Sequence, residues 1–183
     1  MKKVFLYQSI IYFKIWECIN TMNNNNDGTI NDETIFKKII DEVDEKHSDR
    51  VNVNEYSPLV LAYVGDAVYE LFIRTMVVSS GNAPVYKLHK YSTDYVKAKA
   101  QSETIHRIFE NLTLEEQEIV RRGRNAKSAT IPKNADIIEY KYATGLEALL
   151  GYLYLNRDYT RLICILKMCV DPFANFKDHD SNE

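Results

Sequence analysis

Three stretches of the chain are apolar at helical spacing, and together they predict an all-α fold. Residues 58 to about 78 carry Leu61, Val64, Val68, Leu71 and Phe72 with Leu59, Val60, Tyr63, Tyr69 and Ile73 between them, so the helix is apolar nearly all round. That pattern belongs to a central helix or to one shared with a partner chain. Ser57-Pro58 opens it, serine as N-cap and proline at the first helical position. Residues 135 to about 156 form the second such stretch, with Ile138, Tyr142, Leu146, Leu149 and Leu153 recurring at helical spacing. Residues 160 to about 170, with Leu162, Ile163, Ile165 and Leu166, predict a last packing helix.

The intervening segments are more polar. Ser79-Ser80-Gly81-Asn82-Ala83-Pro84 breaks the chain. Residues 86–110, rich in alanine and lysine, read as one long helix or two shorter ones with a basic face. Thr113-Leu114-Glu115-Glu116 is a capping box that starts a helix through Val120. Residues 121–134 follow with Arg121, Arg122, Arg124, Lys127 and Lys133 and no acid, and their Gly, Asn, Ser and Pro content predicts an exposed loop.

Length and composition narrow the picture. A chain of 183 residues fits one compact domain, expected over 53–170, with an N-terminal extension over 1–52 and a polar tail over 171–183. The first 20 residues are apolar and aromatic, but Gln8, Lys14 and Glu17 interrupt them and no A-x-A-like cleavage site follows. They read as a dispensable extension, with Met22 the more natural start, and not as a secretory signal or membrane span. Asn23 to Gly28 is a turn-forming linker, and residues 32–46 fit a short polar helix capped by Asp32. The formal net charge of −3 excludes a globally basic nucleic-acid binder, so any basic surface is local. Cys18, Cys164 and Cys169 lack the spacing of a zinc site and fit a reducing compartment. The four histidines are scattered, which argues against histidine-based metal or nucleophile chemistry.

The candidate chemistry lies in two acids that interrupt the apolar helices, Asp66 and Glu147. A carboxylate in apolar surroundings is costly unless paired, hydrogen-bonded or bound to a metal. Converging carboxylates bind a hard cation such as Mg²⁺, which can activate a water against a phosphodiester. A buried partnership of each acid with Arg or Lys explains them equally well. Glu70, at i+4 from Asp66, is a possible third ligand, with a salt bridge the simpler role. Gly65 beside Asp66 removes a side chain where another backbone or a substrate could come close. The basic segment suits a phosphate backbone, but a basic helix end answering its own dipole accounts for it as well.

Gly65-Asp66-Ala67-Val68, the basic segment through Ala126-Lys127-Ser128, and Leu146-Glu147-Ala148-Leu149-Leu150-Gly151 resemble the signature blocks of the ribonuclease III endonuclease domain, in order over residues 55–170. The segment from Arg121 to Ser128, with Pro132-Lys133-Asn134-Ala135-Asp136, resembles that of Mini-ribonuclease III, the branch without a double-stranded RNA-binding domain. The resemblance implies an all-helical homodimer that hydrolyses double-stranded RNA with Mg²⁺. It also implies a cytoplasmic role, with no membrane, in maturing precursor large-subunit (23S) ribosomal RNA. Asp66 falls on the catalytic aspartate and Glu147 on the metal-binding glutamate. On this reading both hold the metal, Lys127 approaches the scissile phosphate or orders the acids, and Arg121, Arg122, Arg124, Lys127 and Lys133 grip RNA. Larger relatives carry further acids where this chain has Leu59, Ala62 and Thr144, so the site has fewer anionic ligands. Thr144 could hold a metal-bound water but supplies no charge. The rival class is a non-catalytic RNA-binding or ribosome-assembly helical dimer.

Overall fold

The longest apolar helices pack against each other and organise the rest. A computed structural model describes residues 52–127 and 136–170, which form six α-helices and no strand. Helix α1 (Pro58–Ser79) and helix α5 (Ile137–Leu155) share the most extensive contact. Helices α2 (Val85–Val96), α3 (Ala98–Ile108), α4 (Leu114–Asn125) and α6 (Tyr159–Cys169) surround them, and α3 and α4 also lie along α5. The expected extension helix over 32–46, the linker, the tail, and Lys133 with the rest of the basic segment beyond Lys127 lie outside the described residues.

Helix ends follow the sequence chemistry closely. Ser57 Oγ accepts a 3.3 Å bond from the Val60 amide, and Asp136 Oδ1 accepts from Ile138 and Glu139 at 2.7 and 3.1 Å, each satisfying amides that a helix leaves free. Thr113 and Glu116 complete the reciprocal box at 2.8 and 3.2 Å. The lysine-rich stretch forms two helices, not one, because Lys97 takes an extended conformation (φ −63°, ψ 145°) between α2 and α3.

One boundary departs from expectation. Helix α4 continues to Asn125 instead of stopping at Val120, so Arg121, Arg122 and Arg124 are helical and not loop residues. Packing explains it: a Cβ on Gly123 would lie 2.9 Å from Gly145 Cα, so the bare turn at Gly123 lets this basic end of α4 seat directly on α5.

The core is built on α5, whose Leu146, Ala148, Leu149 and Leu150 are fully enclosed, together with Tyr69, Ile73, Ile105 and Ile165. Each such large side chain contributes roughly 1.5–3 kcal/mol by leaving water. Within that core sits one strong ion pair: Arg161 Nε and Nη2 bond Glu116 at 2.7 and 2.8 Å, tying the start of α4 to α6. Burial alone would raise the Glu116 carboxyl, but hydrogen bonds from Arg161 and the Thr113 amide, with the Arg161 charge, hold it below the ordinary range. Cys164 and Cys169 are buried thiols.

Among the described residues, nothing covers the opposite face of α1. Val60, Tyr63, Leu71 and Val78 fall at helical spacing on one stripe and are exposed, Tyr63 by 79%. No described helix is long and apolar enough to cross a membrane.

Candidate active site

Asp66 and Glu147 are brought together by a glycine contact. A Cβ on Gly65 would overlap the backbone carbonyl oxygen of Glu147, and one on Gly151 would overlap that of Leu61. Only bare backbone permits α1 and α5 to approach this closely. The next residue after Gly65 is Asp66, so the crossing carries its carboxylate to the neighbourhood of Glu147.

The two acids do not share one environment. Glu147 is partly buried, and its carboxyl is pushed up to about 7, first by burial and then by the negative charge of Asp66, with a hydrogen bond from Gln101 opposing both. Asp66 was expected among apolar neighbours inside the fold, but it lies on the exposed side of α1. The helical turn explains the difference: Leu61, Ala62, Gly65, Val68 and Tyr69 take the inward face, and Asp66 is rotated towards exposed Tyr63 and Ala67. Partial burial and the charge of Glu70 still raise its carboxyl. Glu70 itself pairs with Arg74 at 2.9 Å, the salt-bridge role.

Thr144 is buried and donates its hydroxyl to the Tyr140 carbonyl at 3.0 Å, within its own helix. Among the described residues, no group of three or more His, Cys, Asp or Glu side chains is arranged to hold a metal. Any cation would therefore rest on two carboxylates and on neutral oxygens.

Gln101 is the residue that sequence reasoning missed. It is 2% exposed, its Nε2 donates to the Val96 carbonyl at 3.0 Å, its side chain acts to lower the Glu147 carboxyl, and its Oε1 is buried without a partner. A glutamine in a lysine-rich helix reads as surface. The available signal is its spacing, four and seven residues before buried Ile105 and Ile108.

The basic end of α4 is ordered by aromatic rings. The Arg121 guanidinium lies 5.5 Å from the centre of the Phe109 ring and bonds Gln117 at 3.0 Å. That of Arg124 lies 5.4 Å from the centre of the Tyr142 ring and bonds its hydroxyl at 3.2 Å, while His106 packs on the same ring. Arg121, Arg124, Phe109, Tyr142 and His106 line a cleft of about 290 Å³. Arg122 is half-buried in the last turn, where positive charge favours the helix dipole, and Lys127 is exposed just beyond it.

An all-helical bundle with a carboxylate pair at a glycine crossing, and a cationic helix end on the same long helix, fits a nuclease domain of the ribonuclease III type. The Ribonuclease III domain family matches residues 59–158. A Mini-ribonuclease 3 of Thermoanaerobacter sp. is 58% identical over 114 residues, 62% of this chain and 80% of that protein. The Mini-ribonuclease 3 of Clostridium tetani is 48% identical over 130 residues, 70% of this chain and 86% of that protein. A crystal structure of a Fusobacterium nucleatum protein is similar at 35% identity and a TM-score of 0.59, covering 64% of this chain and 94% of that one. The chain belongs to the ribonuclease III family, in its Mini-ribonuclease 3 branch, and is an endoribonuclease.

Proposed function

We propose that this endoribonuclease cuts double-stranded RNA with a hydrated Mg²⁺ held by Asp66 and Glu147, working as a homodimer in the cytoplasm. Its substrate on this reading is precursor large-subunit (23S) ribosomal RNA, in line with the Mini-ribonuclease III resemblance. The observation that carries the reading is the convergence of Asp66 and Glu147 from two helices, close enough that one charge raises the carboxyl of the other.

The residues present fit Mg²⁺. Two carboxylates and a buried amide oxygen without a partner, Gln101 Oε1, are hard oxygen donors. Mg²⁺ is commonly held by one or two carboxylates and keeps several waters. When bound, it supplies a Lewis acid and a coordinated water of lowered pKa. Asp66, exposed, is open to an RNA phosphate, while the more buried Glu147 holds the cation from within. Lys127 approaches the scissile phosphate. Arg121, Arg122, Arg124 and Lys133 grip the backbone, and ring packing holds Arg121 and Arg124 in fixed directions, which lowers the entropy lost on binding.

The uncovered stripe of α1 supports the dimer. Val60, Tyr63, Leu71 and Val78 form a contiguous apolar face that a second copy would bury, and Asp66 borders that face. Two sites would then lie along one duplex, and bivalent engagement would raise an affinity that each basic helix end supplies only weakly.

Cleavage of a labelled duplex and of its single strand, with Mg²⁺ or with EDTA, tests the reading alongside the molecular mass in solution. Duplex cleavage only with Mg²⁺, by a species of twice the chain mass, is expected. Equal cleavage in EDTA, or a strictly monomeric active enzyme, contradicts it.

A further inference from the structure

We infer that Gln101 is a positioning residue of the active site, which holds the Glu147 carboxylate with its amide nitrogen and offers its amide oxygen to the water shell of the bound cation. This rests on the metal site proposed above.

The argument starts at Lys97. Its extended conformation ends α2, and the Val96 carbonyl accepts from the Gln101 side chain. A carbonyl can only accept, so that contact fixes which end of the amide is nitrogen. Nitrogen has a second proton, which is left to face Glu147, whose carboxyl the Gln101 side chain draws down. Oε1 is then left inside the protein with no donor, one amide's width from a carboxylate.

Leaving such an acceptor unsatisfied costs about 1–3 kcal/mol. Other buried polar groups avoid that cost: Ser92 and Thr144 each donate to a carbonyl of their own helix, and Glu116 is paired with Arg161. If Gln101 served only to cap Val96, a buried amide would be a poor choice. Its oxygen would remain stranded beside the carboxylate of Glu147. An acceptor left without a donor beside a carboxylate is satisfied by a cation and its waters. Groups that orient metal ligands in this way set metal affinity even when they touch the ion only through water.

Two variants of the full-length protein test the inference: Gln101→Leu, which keeps the volume and removes the amide, and Gln101→Asn, which keeps the amide and shortens its reach. Mn²⁺ binding is read by titration calorimetry, metal-free melting by circular dichroism, and half-saturating Mg²⁺ from duplex cleavage. Mn²⁺ affinity is expected to fall roughly ten- to hundredfold in both, with half-saturating Mg²⁺ rising in step. A purely structural residue would lower the melting temperature and leave both metal readouts unmoved. Mn²⁺ affinity within twofold of the unmodified protein in either folded variant overturns the inference, and Gln101→Asn decides the matter if the leucine variant does not fold. Glu147→Gln separates the two claims. If it binds Mn²⁺ as tightly as the unmodified protein, the metal site itself is misplaced; if it loses the metal while the Gln101 variants keep it, only the role of Gln101 falls.

Discussion

Gly65 of α1 meets the backbone of Glu147 with no room for a side chain: a Cβ there would overlap the Glu147 carbonyl oxygen and lie 2.7 Å from the Gly151 amide nitrogen. The neighbouring acid Asp66 is set by the same crossing, so the geometry of the carboxylate pair is a packing property of α1 against α5. Gly65→Ala must push the two helices apart. The atoms in the way are backbone and cannot rotate aside, so a loss of about 3 kcal/mol or more is expected, at the upper end of overpacking costs. Thermal denaturation of Gly65→Ala measures it, and a melting temperature near that of the unmodified protein would contradict the packing account.

Without metal, stability should fall as pH rises towards neutrality. The Glu147 carboxyl is raised from an ordinary 4.5 to about 7, so between those values the folded state holds a proton that the unfolded chain releases. Stability tied to this group is therefore full below 4.5 and lost as pH climbs through about 7. After allowance for solvent screening the effect is on the order of 2 kcal/mol. Melting of the metal-free protein across this range is expected to show the decline, and Glu147→Gln to flatten it. A parallel decline in both would place the cause elsewhere.

The ion pair of Glu116 with Arg161 acts at the other end of the scale. Because the Glu116 carboxyl is held below its ordinary 4.5, the stability it adds is present above 4.5 and lost as pH falls from there through the depressed value. Arg161→Met leaves a buried carboxylate unpaired and is expected to cost about 3–5 kcal/mol near neutral pH. The penalty should shrink in acid, which denaturant melts at two pH values would show.

RNA binding should depend steeply on salt, since contacts from the basic helix end to phosphates release counterions. Arg122→Ala and Lys127→Ala are each expected to reduce the slope of log affinity against log salt by about one, Lys127→Ala without changing the melting temperature and Arg122→Ala with only the small loss that a helix-end charge carries. Arg124→Ala should do both, because its guanidinium also bonds Tyr142 and lies over its ring. Affinity that barely changes between low and moderate salt would remove the phosphate-gripping role of this helix end.

Much of the fold was legible because its signals are local. Ser57-Pro58, the Thr113–Glu116 box and the apolar spacing of α1 and α5 each depend on residues within a few positions of one another. Gly65 could be marked as a place of close approach, but its partner, the carbonyl of Glu147, could not be known from α1 alone. The exposure of Asp66 was not legible, because a helix apolar on nearly every side gives no rotational reference until its packing partner is known. The extension of α4 to Asn125 was hidden for a related reason: Gly123 reads as a helix breaker until Gly145 is seen opposite it. Gln101 was passed over because its only mark was a shared face with Ile105 and Ile108.

The central claim is that Asp66 and Glu147 form the metal-dependent cutting site, and single-turnover cleavage of duplex RNA in saturating Mg²⁺ by the unmodified protein and by Asp66→Asn tests it most directly. The substitution removes a charge and keeps the shape at an exposed position, so the variant should fold, dimerise and bind duplex as before while its cleavage rate drops at least about a hundredfold. Equal product from the two proteins at equal RNA occupancy would contradict the account.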